Sequence, residues 1–241
     1  MTRRPAVVVG AIVVLAVGIL VGVVIGSRGD DTPVPPGTRA TAAVVPGSAT
    51  ASLPAQETTS GLPSIDNRDV EMYDYLGGLR LPRSPTAGPR TMEGDLASGF
   101  AHSPLGAVLA AVNIAYRTAP NLGAPVYEPT ISSQVVGVDK PALLAAARRD
   151  GSSSVPKPGQ RIAGSDSSLD GWRVDSYSPD QVTMHYLISQ VSENGDLVSA
   201  AVQVDLRWID DDWRVIAPAG GDWASAGGPA RDTSTYLPFT R

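Results

Sequence analysis

The hydropathy pattern of this chain changes character three times. Residues 6–26 read AVVVGAIVVLAVGILVGVVIG, without a charged or strongly polar side chain. Roughly 20 such residues cross a ~30 Å hydrocarbon core as a helix, so this stretch is predicted to be a transmembrane helix. The apolar pattern then disappears. Residues 27–69 are dominated by Pro, Thr, Ser, Gly and Ala and contain no aromatic residue. Such a segment buries too little apolar surface to offset its conformational entropy and is predicted to be a disordered linker. A flexible chain of about 43 residues has an r.m.s. span on the order of 35 to 40 Å, which would carry a domain well away from a bilayer.

Periodicity returns from residue 70. In residues 70–90, Leu and aromatic side chains are expected to pack onto the domain while Pro and Gly deny the segment a long helix. Residues 99–120, GFAHSPLGAVLAAVNIAYRTAP, carry Leu105, Val108, Leu109, Val112 and Tyr116 along one helical stripe. Ser103 is the expected N-cap, with Pro104 at the first helical position and Thr118-Ala119-Pro120 as the exit. The run is too short for a second span, which needs ~20 apolar residues, and it contains Asn113 and Arg117. A second helix is expected from an Asp139 N-cap through KPALLAAARR, with Gly151 just beyond. Residues 150–170 read as an open loop.

After Gly171 the period becomes two. Val198, Ala200, Val202, Val204, Leu206 and Trp208 alternate with Ser199, Gln203, Asp205 and Arg207, the signature of a strand with one buried face. The stretches 172–178, 181–191 and 213–218 are similarly β-like, and SENGD at 192–196 holds an Asn-Gly hairpin signal. About four consecutive antiparallel strands after the helices predict an α+β fold, with helices packed on one face of a curved antiparallel sheet. The predicted organisation is a cytoplasmic N-terminus at 1–5, a transmembrane helix at 6–26, a linker at 27–69 and an extracytoplasmic domain at 70–241.

Charge sets the orientation. Arg3 and Arg4 precede the span, whereas Asp30 and Asp31 follow Arg28 closely, so the positive-inside rule leaves the N-terminus cytoplasmic and the remainder outside. A cleaved signal peptide is the competing reading, but its apolar core is usually about 7 to 15 residues, which favours a retained anchor. Gly18, Gly22 and Gly26 lie four apart on one helical face and would let a second helix approach, the basis for expecting a homo-oligomer through the span. A net charge of −5 gives no basis for direct nucleic-acid binding. The absence of cysteine excludes disulfides, thiolate metal sites and thiol catalysis. Only Lys140 and Lys157 among the 19 basic residues are lysine, a bias of GC-rich, actinobacterial coding.

Candidate chemistry is sparse. Asp210, Asp211 and Asp212 resemble a metal cluster, but consecutive carboxylates in a tight turn splay apart, so a solvated hairpin tip is expected. His102 and His185 are the only histidines. His102 and Ser103 are sequence neighbours, which does not make a base and nucleophile. No GxSxG, phosphate-binding loop, HExxH or dinucleotide fingerprint occurs. A pocket holding Tyr116, Asp175 and His185 is the one candidate site, against the alternative of a satisfied histidine on a sheet surface. No catalytic residue, metal ligand or cofactor is assigned.

The span, the Pro/Ser/Thr linker, the GFAHSPLGAVLAAVNIAYR helix and the LRWIDDDWRVIAP hairpin together resemble an actinobacterial group of membrane-anchored proteins. That group is similar to the extracytoplasmic scaffold subunits of conjugative type IV secretion systems, whose outer domains are nuclear-transport-factor-2-like cones. The resemblance implies a noncatalytic role in assembly, with the membrane and other envelope or secretion-complex subunits as partners. The same cone often holds a ligand or active site in its mouth, so a small-ligand-binding module, an enzyme and a general cell-envelope accessory protein are the alternatives.

Overall fold

Prolines and glycines break residues 70–98 into short pieces, which fold as two small hairpins. β1 (Glu71–Asp74) pairs with β2 (Arg80–Arg83), and β3 (Thr91–Glu93) pairs with β4 (Leu96–Ser98). The computed structural model describes residues 64–240 apart from Glu193, so the predicted span, its Gly18, Gly22 and Gly26 face, and most of the predicted linker lie outside the described residues. Among the described residues no helix is long and apolar enough to cross a membrane. The domain begins earlier than its expected start at residue 70. Asn67 is buried and donates from Nδ2 to the Pro238 carbonyl at 2.7 Å, and Ile65 packs on the core.

α1 (Pro104–Arg117) has the expected bounds and cap: the Ser103 hydroxyl accepts from the Gly106 amide at 3.1 Å, and Pro104 opens the helix. The expected single apolar stripe is corrected. Every helix residue after Pro104 is buried, because the sheet covers one side and the N-terminal hairpins cover the other. Alanine at 107, 110, 111 and 115 permits this close approach from all sides.

α2 (Ala124–Gln134) went unpredicted, for a physical reason. Its buried positions, Val126, Tyr127, Thr130, Ile131 and Gln134, do follow helical spacing, but two of them are polar. Thr130 satisfies itself on the Val126 carbonyl at 2.8 Å and Gln134 donates to the Ala97 carbonyl at 2.6 Å. Pro129 inside the helix hides the pattern further. Next come β5 (Val135–Val136) and α3 (Lys140–Asp150), the second expected helix. Asp139 occupies its N-cap position but makes no side-chain capping bond.

The alternating region forms β6 (Ser168–Ser178), β7 (Gln181–Val191), β8 (Leu197–Ile209) and β9 (Asp212–Ile216), a continuous antiparallel meander. β5 joins it parallel to β9, and the C-terminal β10 (Gly227–Pro229) and β11 (Leu237–Pro238) pair with β8 and β6. Two register breaks in β6, between Leu169 and Gly171 and between Val174 and Ser176, bend it and increase its twist. One face carries Trp172, Val174, Met184, Tyr186, Ile188, Val202, Val204, Leu206 and Trp213, all buried against α1 and its neighbours. The opposite face carries Arg173, Thr183, His185, Gln203 and Asp205. The domain is α+β, three helices and hairpins over a curved sheet.

Candidate functional site

The residues first suspected of chemistry divide between the two faces of the sheet. His102 is part of a structural clamp. Its ring stacks on Trp208 with centroids 4.0 Å apart and planes 7° apart, and it meets Trp213 edge-on at 5.8 Å. Its Nε2 lies 2.6 Å from the Pro179 carbonyl, and the Trp213 indole donates to the Ala101 carbonyl at 3.0 Å. Ser103 serves as the helix cap. These contacts fasten the start of α1 to the β8–β9 hairpin.

The Asp210-Asp211-Asp212 run corrects its expected reading in one residue. Asp210 and Asp211 are the exposed tip, with φ of 51° and 57°, the left-handed pair that a two-residue hairpin loop demands and that Asp tolerates. Asp212 is buried instead. Its carboxylate accepts from the amides of Gly99 at 2.9 Å, Phe100 at 3.1 Å and Trp213 at 2.9 Å. Among the described residues no group of three or more His, Cys, Asp or Glu side chains could hold a metal ion.

Arg117 is the residue whose setting sequence reasoning missed. It is fully buried at the end of α1. Its guanidinium donates to the Asp95 carbonyl at 2.8 Å, to the carbonyl and Oδ1 of Asn113 at 2.9 Å and to the Tyr73 hydroxyl at 2.9 Å, and it lies 4.2 Å from the centre of the Tyr75 ring. Tyr73 in turn donates to Asn113 Oδ1 at 2.8 Å. Burial raises the Tyr75 phenol well above its ordinary pKa. Neutral oxygens, the Met92 thioether sulfur 3.5 Å from Nη2 and an aromatic face surround the charge, with no carboxylate paired to it among the described residues. The signal in the sequence was an Asn and an Arg four apart inside an otherwise apolar helix.

Two of the three expected pocket residues meet, and they meet on the outer face of the sheet. Arg173 of β6 and His185 of β7 stand directly opposite each other in register. Asp175 is the extra residue at the second register break of β6, which brings its carboxylate between them. His185 Nδ1 lies 2.5 Å from Asp175 Oδ2, while Arg173 Nε donates to Asp175 Oδ1 at 2.7 Å. The hydrogen bond to Asp175 raises the guanidinium pKa further. Gln203 of β8 is the next residue in the same row, and it donates to Asp205 at 3.1 Å, as Thr183 does at 2.6 Å. Tyr116 is not part of this group. It lies on the other side of the sheet with its ring 5.8 Å from Tyr186, and burial pushes both phenols far above their usual pKa. A helix residue facing a sheet meets the inward side chains of that sheet, and His185 points the other way.

The C-terminal segment makes a wall over this row. β10 is tied to β8, β11 is tied to β6, and residues 230–236 pass between them. Thr235 accepts from Arg173 Nη1 at 3.1 Å, and the Tyr236 ring centre lies 5.0 Å from the same guanidinium. The resulting cleft of about 410 Å³ is lined by Arg173, His185, Ala201, residues 225–232 and Tyr236. Its volume falls within the usual ~300–1,000 Å³ of small-molecule sites. A neighbouring cleft of about 220 Å³, over Gln203 and Asp205, shares Ser225 and Ala226 with it.

The fold and these features define an α+β domain with a filled inner face and a polar, cleft-bearing outer face. The family described as Domain of unknown function (DUF8175) matches residues 32–238, and the chain belongs to that family. The match begins within the predicted linker. No curated protein and no solved structure matches the chain.

Proposed function

We propose that this protein is a membrane-anchored, noncatalytic assembly component of a conjugative or secretion-type envelope complex, with an extracytoplasmic domain of the nuclear-transport-factor-2-like class. The topology supports that class: α1 lies across the inner face of a curved sheet, and the strand between α2 and α3 returns to pair parallel with the last strand of the meander. The observation that carries the noncatalytic reading is the state of the inner face. In cone folds of this class a ligand or active site occupies the space between α1 and the sheet. Here Tyr116, Tyr186, Trp172, Met184 and Val204 occupy it, none more than 5% exposed. The Tyr186 hydroxyl and the Trp172 indole N–H are closed in without a protein partner. The ionisable groups there are the phenols of Tyr116 and Tyr186, which burial holds protonated. The span at 6–26, whose Gly18, Gly22 and Gly26 would form a face for self-association, supports the anchoring half of the reading.

Deletion of the gene is expected to abolish conjugative transfer of the element that carries it while growth continues unchanged. Normal transfer from the deletion strain would refute the role.

A further inference from the structure

The outer-face cleft is an open depression walled by a strap of chain that is anchored on both sides of one row of the sheet. The row beneath it pairs a guanidinium with an imidazole. Side chains directly opposite on one face of an antiparallel pair have Cβ atoms about 5 Å apart, so Arg173 and His185 work as neighbours.

Which ligand such a cleft takes follows from which of its hydrogen-bonding groups remain unused. Asp175 spends both oxygens, one on Arg173 and one on His185. Asp232 takes two bonds on Oδ1, from the amide of Ser234 at 2.9 Å and its hydroxyl at 2.7 Å. The donors are less occupied. Arg173 uses Nε and Nη1 and retains Nη2; His185 donates from Nδ1 to the Asp175 carboxylate, and its open Nε2 carries an N–H only in the imidazolium form. Arg231, exposed at the cleft wall, has no partner for its guanidinium among the described residues. The open capacity is therefore two guanidinium edges beside the single unused Oδ2 of Asp232, and guanidinium groups present paired N–H donors that match a carboxylate. The rest of the lining is small and apolar. Ala201 forms part of the floor, Ala226 and Pro229 form part of the wall, and a side chain added at Gly228 would meet nothing within 4 Å. Together these surfaces accommodate a compact carbon body with one charged end.

We propose that this cleft is a binding site for a small organic carboxylate, with Arg231 and Arg173, joined by His185 in its imidazolium form, holding the carboxylate and the Ala201 floor holding the carbon body. The proposal concerns the outer domain alone and does not rest on the role in transfer.

The test uses the full chain in detergent, with benzoate and butyrate as probes and benzamide and butyramide as their neutral counterparts. Saturable binding of at least one acid is expected, followed by calorimetry and by the shift of the His185 imidazole resonances. The matching amide should bind at least about tenfold more weakly, and Arg231→Gln should weaken the acid by about tenfold, the loss of one charge-assisted pair. Arg231 makes no contact that the fold needs, so this variant keeps the structure intact. His185→Gln serves as a second variant, and it too should reduce affinity while the melting temperature changes little. Equal binding of acid and amide, unchanged affinity in Arg231→Gln, or no saturable binding of either acid would overturn the proposal. Tighter binding of inorganic phosphate than of both acids would overturn the carboxylate assignment.

Discussion

Replacing Asp212 by alanine should be among the most damaging single changes in this hairpin, although the exposed Asp210 and Asp211 just before it are expendable. The substitution leaves the amides of Gly99 and Phe100 without their acceptor, in a place where Phe100 is only 2% exposed. An unsatisfied buried donor costs about 1–3 kcal/mol, so losing both is expected to destabilise the domain by ~3 kcal/mol. For a domain of 150–250 residues that corresponds to a fall in Tm of roughly 6–12 °C. Asp212→Asn keeps one acceptor oxygen and should lose about half as much. Asp211→Gly is the internal control: at φ 57° glycine adopts the required turn freely, so a change below about 0.5 kcal/mol is expected. Thermal unfolding followed by circular dichroism gives the ranking. Amide exchange at Gly99 and Phe100 reports the mechanism, since both should lose protection in Asp212→Ala. If Asp212→Ala and Asp211→Gly melt together with the unaltered protein, the argument that Asp212 anchors residues 99–100 is wrong.

Two further outcomes follow from packing and burial. Gly106→Ala would ordinarily strengthen a helix by ~1 kcal/mol, but here the new Cβ would collide with the Ala101 backbone carbonyl. A net loss of about 2 kcal/mol is expected, read as a lowered urea midpoint, and any gain in stability would contradict the close approach. Tyr75, Tyr116 and Tyr186 have phenol pKa values raised chiefly by burial, so the folded state holds their protons longer than the unfolded chain does. Their contribution to stability is complete below about pH 10 and is lost as the pH rises above it. An ultraviolet titration should show these three ionising in one cooperative step together with unfolding; gradual ionisation of all seven tyrosines before any loss of structure would refute this.

Legibility varied with the kind of signal. α1 was readable to within a residue because a Ser-Pro start and a Pro exit are local chemistry, and α3 was readable for similar reasons. The four strands of the meander were readable because a period of two survives any tertiary context that keeps one face buried. α2 was not, since Thr130 and Gln134 hold two of its inward positions and find their acceptors in its own backbone and in β4, which only the folded chain supplies. The parallel pairing of β5 with β9 joins residues about eighty positions apart, and no periodicity announces it.

The candidate site shows the same division. His185 and Asp175 could be named as partners, because both lie in strand sequence, but the grouping with Tyr116 failed on the geometry of a two-faced sheet. The strap over Arg173 and the free guanidinium of Arg231 depend on where residues 227–238 return, which is a matter of long-range pairing. By itself the sequence determined the α+β class, the placing of α1 and α3 ahead of the four-stranded meander and the cap of α1, all of which rest on interactions within a few residues. The tertiary structure alone decided that α1 is buried on every side, that Asp212 faces inward and that a cleft forms on the outer face. Each of these depends on which distant backbone donor, acceptor or apolar surface arrives beside a side chain, and local sequence carries no record of that arrival.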